Sequence, residues 1–277
     1  MIQVEDFHGV RAFRMARDIL GRGLYRTAAY WVDGLLIDTG ARSVSREFRE
    51  ATEGLPIAGV VNTHWHEDHC GNNGLLQRLR GVKIQAHPLA LPYLAQPRLM
   101  ELQPYRRFVW GYPLPSRAEA VGPAIATRSH CFQVISTPGH SPDHVSLYEP
   151  ERGWLFSGDA YTGGLSPVFC RDFNVYQIIA SLKTLAGLRA RFLFTGSGHV
   201  VEGPERALEA KIAYLEEARE KVLRSYKEGW DLQEISRRAL GGEHWIRLVT
   251  LGHFSVANLV RAFLEDPESP VRARESG

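Results

Sequence analysis

The sequence is poor in sulfur and has no long apolar stretch. Its three cysteines, Cys70, Cys131 and Cys170, are odd in number, widely spaced and form no Cys-x-x-Cys pair. Neither a disulfide framework nor a thiolate zinc knuckle can be built from them. The strongly apolar runs, such as residues 256–264, fall well short of the ~20 residues a bilayer span needs, so no membrane-spanning segment is expected. Residues 1–13 mix acids and bases without a small-residue cleavage pattern, so no secretory signal is read and a cytoplasmic location is expected. Charge of one sign is also lacking, with 33 Lys and Arg against 31 Asp and Glu and a net charge of +2. That balance is uneven: residues 70–130 hold eight bases against two acids, and an anionic partner would meet that segment first.

Length and composition bound the rest. At 277 residues with 44% hydrophobic and 23% charged side chains, the chain can bury a sizeable core, as one large α/β domain or as a domain plus an appendage. Short β-type runs at 27–32 and 35–38 flank Asp33-Gly34, a hairpin signal. A helix is predicted over 43–53, a strand over 59–62, a helix over 73–79 and a strand over 82–86. Strands resume at 132–136, 145–148 and 154–157, then a helix at 175–188 and a strand at 192–195. Between these blocks, residues 88–123 carry seven of the fifteen prolines together with Tyr93, Tyr105, Phe108, Trp110 and Tyr112. Such a segment reads as an ordered, lid-like surface excursion, too rich in proline for regular structure. From Pro204 the pattern turns helical, over 205–226, 232–240 and 255–264, the last with Ser255 as N-cap. A domain boundary is therefore expected near 204, dividing a catalytic domain of 1–204 from a helical region of 205–277.

Histidine is where the chemistry concentrates. His64-Trp65-His66-Glu67-Asp68-His69 places four candidate ligands within six residues, directly after a predicted strand. In open α/β sheets that end of a strand is where sites form. Imidazole and carboxylate suit zinc, iron or manganese, and the absence of cysteine from the set favours a catalytic over a closed structural site. Three more candidates each follow a β-type run: His140, Asp159 and His199. Two metal shells sharing one carboxylate would need that inventory, with positions left open for water.

These motifs resemble the metallo-β-lactamase-fold hydrolase superfamily over roughly residues 10 to 204. The match is carried by 63–69, 137–144, 156–159 and Gly198-His199. The resemblance implies a four-layer αβ/βα sandwich, with the C-terminal helices as an extension. It implies that His64, His66 and His140 bind one metal, that Asp68, His69 and His199 bind the second, and that Asp159 bridges them. Two divalent ions, zinc before iron or manganese, would activate a water to attack a carbonyl. Asp68 would orient that nucleophile, and Tyr161 would donate to the oxyanion.

Within the superfamily the expected reaction is ester, thioester or lactone hydrolysis of a small anionic substrate, as in enzymes of the glyoxalase II type. A phosphodiesterase or endoribonuclease, and a mononuclear iron persulfide dioxygenase-like enzyme, are the alternatives. Arg106, Arg107, Trp110 and Tyr112 are candidates to grip the substrate by charge and stacking, and His253 is a candidate to reach the cleft. The alternative for the excursion is a lid that packs its aromatics into the body. His144 is expected to steady the ligand loop, Cys70 to be a buried small hydrophobe, and Trp65 and Glu67 to orient the loop from outside. Residues 205–277 hold 12 bases and 13 acids, which disfavours nucleic acid as a partner. Homo-oligomerisation is compatible with everything above.

Overall fold

Two sheets built on alternating apolar residues make the first of two units. In a computed structural model, which describes residues 1–19 and 21–265, strands β1 (Ile2–Phe7), β2 (Val10–Ile19), β3 (Arg22–Val32) and β4 (Leu35–Ile37) pair antiparallel in sequence order. The Asp33-Gly34 hairpin is present: both residues have positive φ, at 46° and 86°, as a tight two-residue turn between right-twisted strands requires. The chain then changes hand. β5 (Gly59–Val61), β6 (Lys83–Ala86) and β7 (Glu119–Ala120) join in parallel, so their carboxyl ends line up with that of β4.

The second sheet starts with the antiparallel strands β8 (Ala124–Ala126), β9 (Cys131–Ser136), β10 (Val145–Glu149) and β11 (Trp154–Gly158). The chain next contributes β12 (Phe169–Cys170) to the second unit. It returns as β13 (Phe192–Thr195), parallel to β11, and β14 (Val200–Glu202), which closes the edge.

The sheets face each other across one core. Val10, Ala12, Tyr30 and Ile37 of the first sheet meet Phe132, Leu147, Phe156 and Phe194 of the second. Phe156 and Phe194 stack at 4.8 Å, and Tyr30 meets both edge-on at 5.5 Å. Tyr30 is deep inside, and its hydroxyl is satisfied by donating to the Thr195 carbonyl at 2.6 Å. The other face of the first sheet is covered by α1 (Ser45–Ala51), through Phe48. Further on come α2 (Glu67–Cys70), a single turn, and α3 (Asn73–Arg80), whose Leu76 also packs on this face.

The proline-rich excursion is more regular than its composition suggests. Within it lie α4 (Leu91–Ala95) and α5 (Pro104–Val109), with single 3₁₀ turns at Pro88–Ala90 and Pro97–Met100. In all four a proline stands in the first turn, where its missing N–H is not needed and its fixed φ suits the helix. These prolines start helices rather than prevent them.

The second unit takes residues 138–141, 163–188 and 205–265 of the described chain. It contains α6 (Val175–Ala186), α7 (Glu205–Lys227), α8 (Leu232–Glu234) with a wide turn at Ile235–Ala239, α9 (Ile246–Val249), β15 (Phe254–Ser255) and α10 (Val256–Leu264). Lys183 of α6 pairs with Glu216 of α7 at 2.6 Å, and the Tyr176 hydroxyl donates to the Phe263 carbonyl at 2.9 Å. Ser255 caps α10 by accepting from the Asn258 amide. The first unit comprises residues 1–137, 142–162 and 189–204. Residues 266–277 of the expected helical region lie outside the described residues. Among the described residues, no helix is long and apolar enough to cross a membrane.

Candidate metal centre

Backbone register puts the ligand motif at the sheet's carboxyl edge. After β5, the Thr63 amide donates to Asp38 Oδ1 and the Thr63 hydroxyl to Asp38 Oδ2, both at 2.8 Å. Asp38 itself follows β4 in a left-handed conformation, with φ of 60°, and is buried. The loop runs through His64 and His66, and Asp68 and His69 then fall on the single turn α2 rather than on open loop. On the far side, the Asp143 carboxylate accepts from the Trp65 amide at 2.8 Å and fixes the loop there.

The ring nitrogens are set by these partners. His69 Nδ1 donates to Asp38 Oδ2 at 2.7 Å, which leaves Nε2 as the ligating atom. That Nε2 lies 3.5 Å from Asp159 Oδ1 and 3.8 Å from Asp68 Oδ2. Because the Thr63 hydroxyl proton goes to Asp38, its oxygen accepts from His64 Nδ1 at 3.0 Å. His64 Nε2 then faces His66 Nδ1 at 3.0 Å. Ligand atoms of His64, His69 and Asp159 all lie within 4.8 Å of one another. His144 does the steadying expected of it. Its Nε2 accepts from the Asp159 amide at 3.0 Å, so its Nδ1 carries the proton toward the Thr137 hydroxyl at 2.8 Å.

Charge in this cluster asks for a cation. Burial, aided by Glu67 and Asp159, pushes the Asp68 carboxyl up to about 7 against the pull of His69 and Arg106. Burial works against protonation of His69, but Asp159, Asp38 and Asp68 outweigh it and raise its pKa. Gly196 supplies the space: a Cβ there would overlap Asp159 Oδ1 and come within 2.9 Å of His69 Cε1. Imidazoles with oriented lone pairs, facing carboxylates and a cradle free of side chain together fit a divalent ion.

The remaining predicted residues lie as follows. His199 is exposed at the end of the turn after β13, where its amide donates to the Thr195 hydroxyl at 2.9 Å. His140 belongs to the second unit, where its ring meets Phe173 at 4.5 Å. Tyr161 is largely buried, and burial raises its phenol pKa. Cys70 is fully buried and directs its thiol to the Trp65 carbonyl.

Arg106 departs from the expected grip on substrate. Its Nε and Nη2 donate to the two oxygens of Glu67, at 2.8 and 2.6 Å, and Glu67 is wholly buried rather than outside the loop. Trp110 lies against Tyr25 at 5.4 Å, and the Tyr112 hydroxyl accepts from the Leu102 amide. Arg107 is exposed, with its Nε donating to the Leu102 carbonyl. Trp110 and Tyr112 of the excursion are thus packed while Phe108 stays 55% exposed, and the largely buried Arg106 locks the ligand turn.

Asp38 and Asp143 do not stand among the residues the sequence singles out. Asp38 sits in Ile37-Asp38-Thr39-Gly40 with no motif around it, and its partner His69 is 31 residues away. The available signal was an Asp at the end of an apolar strand. Asp38→Asn should weaken metal binding about 10–100-fold, because the amide cannot hold both the His69 N–H and the Thr63 hydroxyl as the carboxylate does. Competition against a chromophoric chelator measures this, and unchanged affinity would remove Asp38 from the centre.

Comparison with known proteins identifies the family. The family profile described as the metallo-beta-lactamase superfamily matches residues 22–197. The chain belongs to that superfamily, a class of metallo-hydrolases, and its fold is the α/β sandwich of that class with helices at the C-terminus. It is similar to the "Beta-lactamase-like protein 2 homolog" of Drosophila melanogaster, 26% identical over 69% of this chain and 64% of that one. It is also similar to the hydroxyacylglutathione hydrolase of Legionella pneumophila (strain Lens), 27% identical over 53% of this chain and 49% of the relative. The chain therefore spans about half to two thirds of the length of these relatives. Among solved structures, a beta-lactamase domain protein from Burkholderia ambifaria superimposes with a TM-score of 0.70 at 19% identity, covering 94% of this chain and 86% of that one.

Proposed function

We propose that the chain hydrolyses the ester or thioester bond of a small anionic substrate at a two-metal centre. The observation that carries this reading is the convergence of His64, His69 and Asp159, with Asp38 and Thr63 fixing both imidazole tautomers. Within the first unit, His64 and His66 would hold one ion, Asp68, His69 and His199 the other, and Asp159 both. Zinc suits this donor set first. When bound, such ions supply Lewis acidity and lower the pKa of water.

The chain's own groups do the rest. Asp68 presents an acceptor oxygen that orients the attacking water. The Tyr161 phenol, protonated at neutral pH and pushed further up by burial, donates to the oxygen on which charge develops. Arg107, exposed where Arg106 is not, is the better candidate to meet the substrate's negative charge. A relative bearing the name hydroxyacylglutathione hydrolase supports a thioester. The balanced charge of residues 205–277 supports a small molecule over nucleic acid.

Metal analysis with a panel of thioester, ester, lactone and phosphodiester substrates tests the reading. His66→Ala should lower metal content and cut thioester turnover by about a thousandfold or more, since metal stabilisation of the transition state is worth several kcal/mol. Full hydrolysis by metal-free protein would overturn it, and one iron per chain with oxygen uptake would replace it with an oxygenase.

A further inference from the structure

Cys170, Asp172 and His253 form a second cluster of ligating atoms, carried wholly by the second unit. Antiparallel pairing of β12 with β15 brings Cys170 opposite Phe254, and the Arg171 amide donates to the His253 carbonyl at 3.0 Å. Asn258, itself buried, clamps the two strands: its Nδ2 donates to the carbonyls of His253, at 2.9 Å, and of Phe169, at 3.1 Å. The backbone under Cys170 and His253 is therefore fixed from two sides before any ligand arrives.

One nitrogen of His253 faces both other groups. Its Nε2 is 3.4 Å from Cys170 Sγ and 3.3 Å from Asp172 Oδ2. An imidazole nitrogen carries one proton and cannot direct it at a thiol and a carboxylate together. With zinc–sulfur near 2.3 Å and zinc–nitrogen or –oxygen near 2.0–2.2 Å, the edges of a tetrahedral site come to roughly 3.3–3.6 Å. The observed nitrogen–oxygen separation of 3.3 Å falls on its edge, and the sulfur–nitrogen separation of 3.4 Å lies within about 0.2 Å of its own. Cys170 and His253 are nearly buried, whereas the Asp172 side chain is 70% exposed, so the cluster has a dry floor and an open side for entry and for a water.

We propose that Cys170, Asp172 and His253 bind a zinc-type ion, with water as the fourth ligand. On binding, the Cys170 thiol releases its proton to solvent, and the sulfur–metal bond replaces the S–H bond with no change of oxidation state. The set of one thiolate, one imidazole and one carboxylate selects zinc or cobalt over magnesium or calcium. His253 is then a ligand of this site rather than a residue reaching for substrate.

Cobalt(II) separates this site from the centre at His64–His69, whose proposed ligands include no sulfur. The full chain produced with cobalt as the supplied metal should show a near-ultraviolet sulfur-to-cobalt charge-transfer band. Cys170→Ala should lose the band and one metal per chain, whereas Cys70→Ala and Cys131→Ala keep both. A wild-type spectrum without the band, or a band that survives Cys170→Ala, overturns the proposal and leaves a thiol–imidazole hydrogen bond. Should Cys170→Ala fail to fold, Asp172→Asn decides, since that side chain is mostly in solvent. It should let a chelator bleach the band at a concentration at least about tenfold lower, and unchanged resistance overturns the site.

Discussion

Arg106→Ala should destabilise the first unit by about 3–5 kcal/mol, with a fall in Tm on the order of 10 °C, because it strips a wholly buried carboxylate of its partner. Glu67 receives two parallel N–H bonds from a guanidinium whose side chain is only 13% exposed, so water cannot take over when the arginine is removed. Arg107→Ala, one position on, should cost no more than about 1 kcal/mol, since its side chain is exposed. The comparison separates two roles for the basic excursion. If both arginines served only to attract an anion, both variants would keep wild-type stability and raise KM alike. Thermal melts of the two decide it. Replacing both members of the pair, Arg106→Leu with Glu67→Leu, should recover most of the lost stability, because an apolar pair of similar volume leaves no orphan charge. Equal melts for wild type and Arg106→Ala would show that the pair is not a lock.

The sequence makes legible what is local. His64–His69 can be read because its ligands stand at a strand end within six residues, and Asp33-Gly34 because a two-residue turn has few solutions. Contacts across the chain leave no such trace. Arg106 and Glu67 are 39 residues apart, Cys170 and His253 are 83 apart, and neither pair has a spacing rule. β1 escapes a period-two reading because it is an edge strand with Gln3, Val4, Glu5 and Asp6 all exposed. Prolines mislead for a different reason. They forbid helix interiors but favour helix starts, and only position in the turn distinguishes the two.

Gly196→Ala should empty the metal centre while leaving the fold in place. Gly196 does not occupy the left-handed region, so alanine meets no φ penalty; its Cβ would press chiefly on Asp159 and His69 and would also come to 3.0 Å from the Gly158 carbonyl carbon. The backbone there cannot withdraw, because the Gly196 amide donates to the Gly158 carbonyl and its own carbonyl accepts from the Ala28 amide, both at 2.7 Å. The new methyl therefore displaces Asp159 Oδ1, with which it overlaps, and crowds the His69 ring. His69 is tied at Nδ1 to the buried Asp38, so Asp159 is the group that yields. A carboxylate proposed to serve both ions then moves by more than the roughly 0.5 Å a metal site tolerates. A displacement of about 1 Å is enough to cost on the order of a hundredfold in rate even where metal is retained. Metal per chain and hydrolysis should both fall, and Tm should fall only by the contribution of bound metal. Gly122→Ala, where a Cβ would meet its nearest neighbour at 3.9 Å, should change none of these. If Gly196→Ala kept full metal content, the carboxylate beside it would not be holding an ion, and the assignment of Asp159 would fall with it.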